Sequence, residues 1–217
     1  MFKWLSGGRA SGMEEVADQF VGMLADGRHV FDLAMSARVA GADPSAVEED
    51  LLRTEERTDE AERTIRRRVV VHASTTGDDV PGCLMYMSIA KDAERVADLS
   101  KGLYDIAKVA GSPPAGELRD DLVSLRDAVS MMIAEAAQVF ADDDVDSAHP
   151  FIVRARELQD WCTAQISALV QEDTTLPQPA ASALTYRHLS RILANLLNIV
   201  SAVVMPLDQL DYPTTAD

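Results

Sequence analysis

A chain of 217 residues, 47% of them apolar, is long enough to bury a core as one domain or two small ones, and it is too apolar for a disordered polymer. Aromatic residues make up only 5% while Ala, Leu, Val, Met, Glu, Asp and Arg dominate, which points away from sandwiches and barrels and toward an all-α fold. The formal net charge of −16 repels phosphate backbones and anionic lipid, so charge-driven binding to nucleic acid is excluded.

Met1-Phe2-Lys3-Trp4-Leu5 is apolar but meets Ser6-Gly7-Gly8-Arg9 before a signal-peptide core can develop. Residues 1–12 are expected to be a flexible tip whose Phe2 and Trp4 could touch a membrane or a transporter, with a frayed end as the plainer reading. Pro and Gly then divide the chain into six helical segments, about 13–42, 44–73, 81–111, 115–141, 147–172 and 180–205. Asp43-Pro44 supplies a cap and a first-turn proline for the second, and Gly111-Ser112-Pro113-Pro114 stops the third. In the third, Leu84, Met87, Ile89, Ala90, Ala93, Val96, Ala97 and Leu103 or Tyr104 trace a buried stripe at three-to-four spacing.

Segments this long suit bundles, and short loops make neighbours antiparallel. The expected architecture is two tandem three-helix bundles, 13–111 and 115–205, followed by a flexible tail over 206–217. Ala93-Glu94-Arg95-Val96-Ala97-Asp98 has a weak counterpart in Leu189-Ser190-Arg191-Ile192-Leu193-Ala194, which suggests a duplicated bundle. Cys83 and Cys162 lack disulfide or metal spacing and read as small core residues of a reducing compartment. The longest apolar run, Ile192 to Met205, stops well short of the roughly 20 residues needed to span a bilayer.

Acids four apart share a helix face, so Glu55/Asp59 and Glu94/Asp98 each form a two-carboxylate ledge. In a chain with 36 acids such pairs arise by chance, so the motif is judged by what it faces. In a hairpin of the second and third helices turning near Thr76-Gly77, Glu55 falls opposite Asp98 and Asp59 opposite Glu94. Four converging carboxylates repel, and the repulsion is relieved by raised pKa values or by a cation with oxygen ligands. The alternative is a solvated face neutralised by Arg63 next to Asp59, Lys91 next to Glu94 and Lys101 next to Asp98.

Glu94-Arg95-Val96-Ala97-Asp98, preceded by a helix with its own acidic element Glu55/Asp59, resembles the L-E-R-I-G-D hallmark of the PhoU family. The resemblance extends to the six-helix, two-bundle plan. It implies a cytoplasmic, non-enzymatic regulator, peripheral at the inner face of the membrane, that links a phosphate transporter to a phosphate-sensing histidine kinase, and a homodimer. It also implies Glu55, Asp59, Glu94 and Asp98 as metal ligands, with iron, zinc or magnesium as candidate ions. The sixth helix departs from the hallmark with Ser190 and Ala194, and reflection about Thr175 sets Asp160 and Arg156 opposite them, so any metal site is expected in the first half alone. Leu99-Ser100-Lys101-Gly102 also departs, standing where many relatives carry His-Ala-x-Asn. A related reading is the helical accessory protein of low-affinity inorganic phosphate transporters, binding without metal.

A ferritin-like metal enzyme would need Glu-x-x-His on core helices. The nearest approximations, Asp26/His29 and Asp146/His149, lie in contexts spoiled by Gly27 and by the acidic turn 142–146, and His72 and His188 read as helix-face residues. Nucleophile-elbow, P-loop and dinucleotide motifs do not occur. Arg66-Arg67-Arg68, beside Glu60 and Glu62, reads as a solvated surface.

Overall fold

The computed structural model describes residues 11–77, 79–171, 175 and 177–207. The tip up to residue 10 and the tail from residue 208, including the expectations for Phe2 and Trp4, lie outside them. The described residues form six helices and no strand: α1 (Ser11–Met35), α2 (Pro44–Thr76), α3 (Val80–Ala110), α4 (Glu117–Asp142), α5 (Val145–Val170) and α6 (Pro179–Val204). A π-helical turn, Ser36–Ala40, continues α1. The starts follow from cap chemistry. Asp43, Asp79 and Asp144 accept the backbone N–H of Ser45, Gly82 and Ser147, satisfying amides that have no partner within the helix.

Antiparallel α1, α2 and α3 pack on one another, and α5 packs on α6. α4 lies mainly against α1 and α6, and α3 lies against α6, so a single hydrophobic core runs through both halves. Phe20 of α1, Tyr86 of α3 and Phe140 of α4 join them in an aromatic triad with ring centroids 4.7 to 6.0 Å apart. The α3 stripe is buried from Ile89 to Tyr104 much as its spacing predicts, but Leu84 is exposed. Stepping back from Ile89 by three or four residues arrives at Met85 and Tyr86, which are the residues buried at this end.

The α3–α6 crossing is held by two contacts in one antiparallel register. Asn198 donates to Asp92 Oδ1 at 3.2 Å, and His188 sits over Gly102. A Cβ at Gly102 would lie 2.8 Å from His188 Nδ1 and closer still to Cε1, so any side chain here would have to displace the His188 ring. Moving 96 residues along the chain carries the α3 member of each pair onto the α6 member of the other. That is also the spacing between the two similar sequence stretches.

At the other end a fully buried arginine ties three segments together. Arg38 donates from Nε to Thr185 Oγ1 at 3.0 Å and from Nη1 to the Gly111 carbonyl at 2.7 Å and Gln178 Oε1 at 3.3 Å. Gly111 takes a φ of 65° here, a conformation that favours glycine. Gln178 in turn donates to the Ala110 carbonyl at 2.7 Å, and Arg119 donates to Val39 O at 2.9 Å. The connection between the halves is thereby pinned to the end of α1 and the start of α6.

Two substitutions test these joints. Gly102→Ala is expected to lower unfolding stability by roughly 1–3 kcal/mol through overpacking, and His188→Ala in the same chain to recover part of that loss in a urea double-mutant cycle. Arg38→Met, which removes the donors to Thr185, the Gly111 carbonyl and Gln178, should cost about 2–4 kcal/mol by the same measurement.

Candidate functional site

The candidate site lies on the α2–α3 hairpin, where the expected pairing is close to that observed: Lys101 reaches Glu55 and Lys108 reaches Glu48, each within a helical turn of the predicted register. α2 directs Thr54 and Thr58 inward, both fully buried, and leaves Glu55 and Asp59 at the edge of the interface. α3 is a core helix, so the opposite edge is nearly dry: Glu94 is 9% exposed.

Each predicted ligand is accounted for. Glu94 accepts a 2.5 Å bond from Lys91 Nζ on its own helix. Glu55 accepts a 3.0 Å bond from Lys101 Nζ, which crosses from α3 to α2. Asp59 lies 3.6 Å from Arg63, and Asp98 is exposed. The anticipated neutralisation by Arg63 and Lys91 is present, whereas Lys101 pairs with Glu55 across the hairpin rather than within its own helix. At 14% side-chain exposure Glu55 is much drier than Asp98, and a desolvated carboxylate has the greater need of an opposite charge.

A fifth acid, Glu62, was not among the expected ligands. It is 9% exposed, lies 3.0 Å from Arg66 Nη2 and sits close enough to Glu94 to affect its titration. Its position one turn past Asp59, opposite Lys91 in the hairpin register, was the available sequence signal. Burial is the largest influence on Glu94 and pushes its carboxyl above the ordinary glutamate range; Lys91 opposes the shift, and Glu62 and Asp98 add to it. Lys101 is pushed up by its bond to Glu55.

A hard cation needs several carboxylate oxygens around one point. Among the described residues no three His, Cys, Asp or Glu side chains are so placed, and two ammonium groups hold oxygens of Glu94 and Glu55. The face as arranged does not fit a metal ion. The other residues weighed for chemistry are structural: His29 pairs with Asp50 at 2.7 Å, His149 with the Val145 carbonyl, and Arg68 with Glu15 at 2.7 Å. In the second half, Ser190 is buried with its carbonyl bonded by Gln159, one position from the expected register, and Asp160 is exposed. Cys83 and Cys162 are free and buried, and burial pushes the Cys162 thiol up to about 12.

Because folded Glu94 holds its proton more tightly than the unfolded chain does, the native state binds more protons, and its stability falls, as pH rises from the ordinary glutamate pKa through the raised one. In a carboxyl-detected NMR titration Glu94 should therefore titrate above the ordinary range. Lys91→Met should move it further up and Glu62→Gln should move it down. Glu94→Gln should be no less stable than the parent at pH 7. A Glu94 that titrates at the ordinary value would remove the argument for a dry, crowded carboxylate.

No curated protein matches the chain. Residues 20–107, which run from the middle of α1 nearly to the end of α3 and include all five acids, match the family model described as the PhoU domain. The chain thus contains a region similar to the PhoU domain, in the half that holds the carboxylate hairpin.

Proposed function

We propose that this protein is a non-enzymatic regulator of phosphate transport or phosphate signalling that works by protein contact, with a membrane phosphate transporter as its principal partner and a sensor kinase as a second. The PhoU domain over residues 20–107 carries this reading, since that family has a phosphate-regulatory role. No described helix is long and apolar enough to cross a membrane, so contact with a transporter would be made from outside the bilayer. Charge supports the choice of partner. Residues 117–160 contain eleven acids against four arginines, while cytoplasmic transporter loops carry an excess of Lys and Arg. A homodimer at the cytoplasmic membrane face belongs to the same proposal.

Two versions differ at the hairpin. In one, Glu55, Asp59, Glu94 and Asp98 hold an iron, zinc or magnesium ion, which requires Lys91 and Lys101 to release their partners. In the other, the protein acts without metal, as an accessory subunit of a low-affinity phosphate transporter would. The two lysine contacts favour the second version.

Affinity capture from detergent-solubilised membranes, with and without chelator, tests the reading. The expected outcome is recovery of a phosphate transporter, unchanged by chelator. Recovery of none, under conditions that capture a known transporter–partner pair, would sink it. Elemental analysis of the purified protein separates the versions: stoichiometric metal that is lost in Glu94→Ala and Asp98→Ala would establish the metal-bound one.

A further inference from the structure

We infer that Lys91 and Lys101 are built-in counter-ions of the α2–α3 carboxylate face, holding by ion pairing the place that a divalent cation would otherwise take. This rests on reading the hairpin as the PhoU carboxylate face and is independent of which partner the protein contacts.

The first argument is desolvation. Ionised carboxylates in a dry interface must be matched by opposite charge, because a buried unpaired charge costs several kcal/mol. Glu55 and Glu94 are the driest of the four expected ligands, with side-chain exposures of 14% and 11%, and these two receive the ammonium groups. Arg63 and Arg66 lie against Asp59 and Glu62, and Asp98 is left to the solvent near Lys101.

The second argument is charge balance. Five carboxylates face four cations, and Glu60 lies as close to Arg63 as Asp59 does, so the patch carries one or two negative charges in excess. A divalent ion added to this arrangement would find most of the negative charge already compensated. Without the two lysines the same patch would carry at least three uncompensated negative charges, a balance suited to a divalent cation.

The third argument is geometric. An ammonium is a compact charge with three donors and can satisfy one or two oxygens where it stands. A hard cation must draw in six or more oxygens at about 2.0–2.6 Å, and it could reach those of Glu55 and Glu94 only after both Nζ atoms moved away. Acceptor capacity remains on the face: Glu62 Oε1 is buried and accepts no hydrogen bond despite its proximity to Arg66. Lys91 and Lys101 keep 42% and 35% of their side chains exposed, so they can be replaced without opening the core.

The test uses the full chain and Mn2+ alone as the probe, followed by calorimetry and by the electron paramagnetic resonance of the free ion. The wild type should show no saturable site, whereas Lys91→Met/Lys101→Met should gain one site per chain bound at least about tenfold more tightly than any wild-type binding. Adding Glu94→Gln to the double variant should abolish the gain. Helicity and melting temperature of each variant, and the single variants Lys91→Gln and Lys101→Gln, keep the comparison among folded proteins. A wild type that binds Mn2+ stoichiometrically and as tightly as the double variant would overturn the inference, as would a folded double variant that gains no site. Either failure would leave transporter capture by the wild type untouched, so it is distinguishable from failure of the functional proposal.

Discussion

The close crossing of α3 and α6 is the constraint on which the rest of the molecule depends. Gly102 removes a side chain where His188 must sit, and Asp92 and Asn198 fix the same register farther along. With α6 on one side and α1 and α2 on others, α3 is a core helix over most of its length, buried at Ala90, Ala93, Val96, Ala97, Leu103 and Tyr104. A motif helix placed this deep cannot carry acids as a surface helix does. Glu94 is dry because α3 is central, and its raised affinity for protons is a consequence of the fold.

The two ends of the bundle meet the problem of buried polarity in different ways. At the end holding the π-turn, Arg38 is buried among neutral acceptors, the Gly111 carbonyl, Gln178 and Thr185, and burial lowers its hold on the proton. Its contribution is positional, since one planar guanidinium fixes three chain segments distant in sequence. Along the α2–α3 hairpin the polar groups are charged on both sides, and lysines with half-exposed stems reach in to neutralise acids at the edge of the core. The first arrangement fixes geometry. The second leaves its cations at the surface, where substitution or competition can reach them.

Much of this was legible in the chain itself. The Asp43-Pro44 cap and the Gly111–Pro114 break state their chemistry locally, and the helix limits lie within three residues of those expected once the π-helical turn Ser36–Ala40 is counted with α1. The hairpin register followed from antiparallel geometry, and the Lys101–Glu55 and Lys108–Glu48 contacts lie three residues from it, without the four expected carboxylates converging among the described residues. Other features required the fold. Leu84 joins an apolar pattern that looks continuous in sequence, but it is exposed while its neighbours Met85 and Tyr86 are buried. Arg38 gives no local sign of burial, because its partners lie 73 to 147 residues away. Lys101 could be placed near Asp98 by spacing alone. That it crosses to Glu55 depends on which carboxylate is drier, a property of packing.

The distribution of charge connects the hairpin to the rest of the surface. A net charge of −16 might have been concentrated on the carboxylate face, where it would have called for metal, yet that face is almost neutral. The excess lies elsewhere, conspicuously between residues 117 and 160, where Glu117, Asp120, Asp121 and the run Asp142-Asp143-Asp144 are set on α4 and its turn into α5. Exposed charge of one sign on a rigid helical scaffold steers an oppositely charged partner and suppresses self-association and adhesion to anionic lipid. Carboxylates at the dry edge of the hairpin are matched by lysines within the chain, while Glu117, Asp120 and Asp142 lie exposed at the surface of α4. By that division the PhoU hairpin serves as an internally neutralised support, and the acidic α4–α5 side presents the face that a basic partner would read.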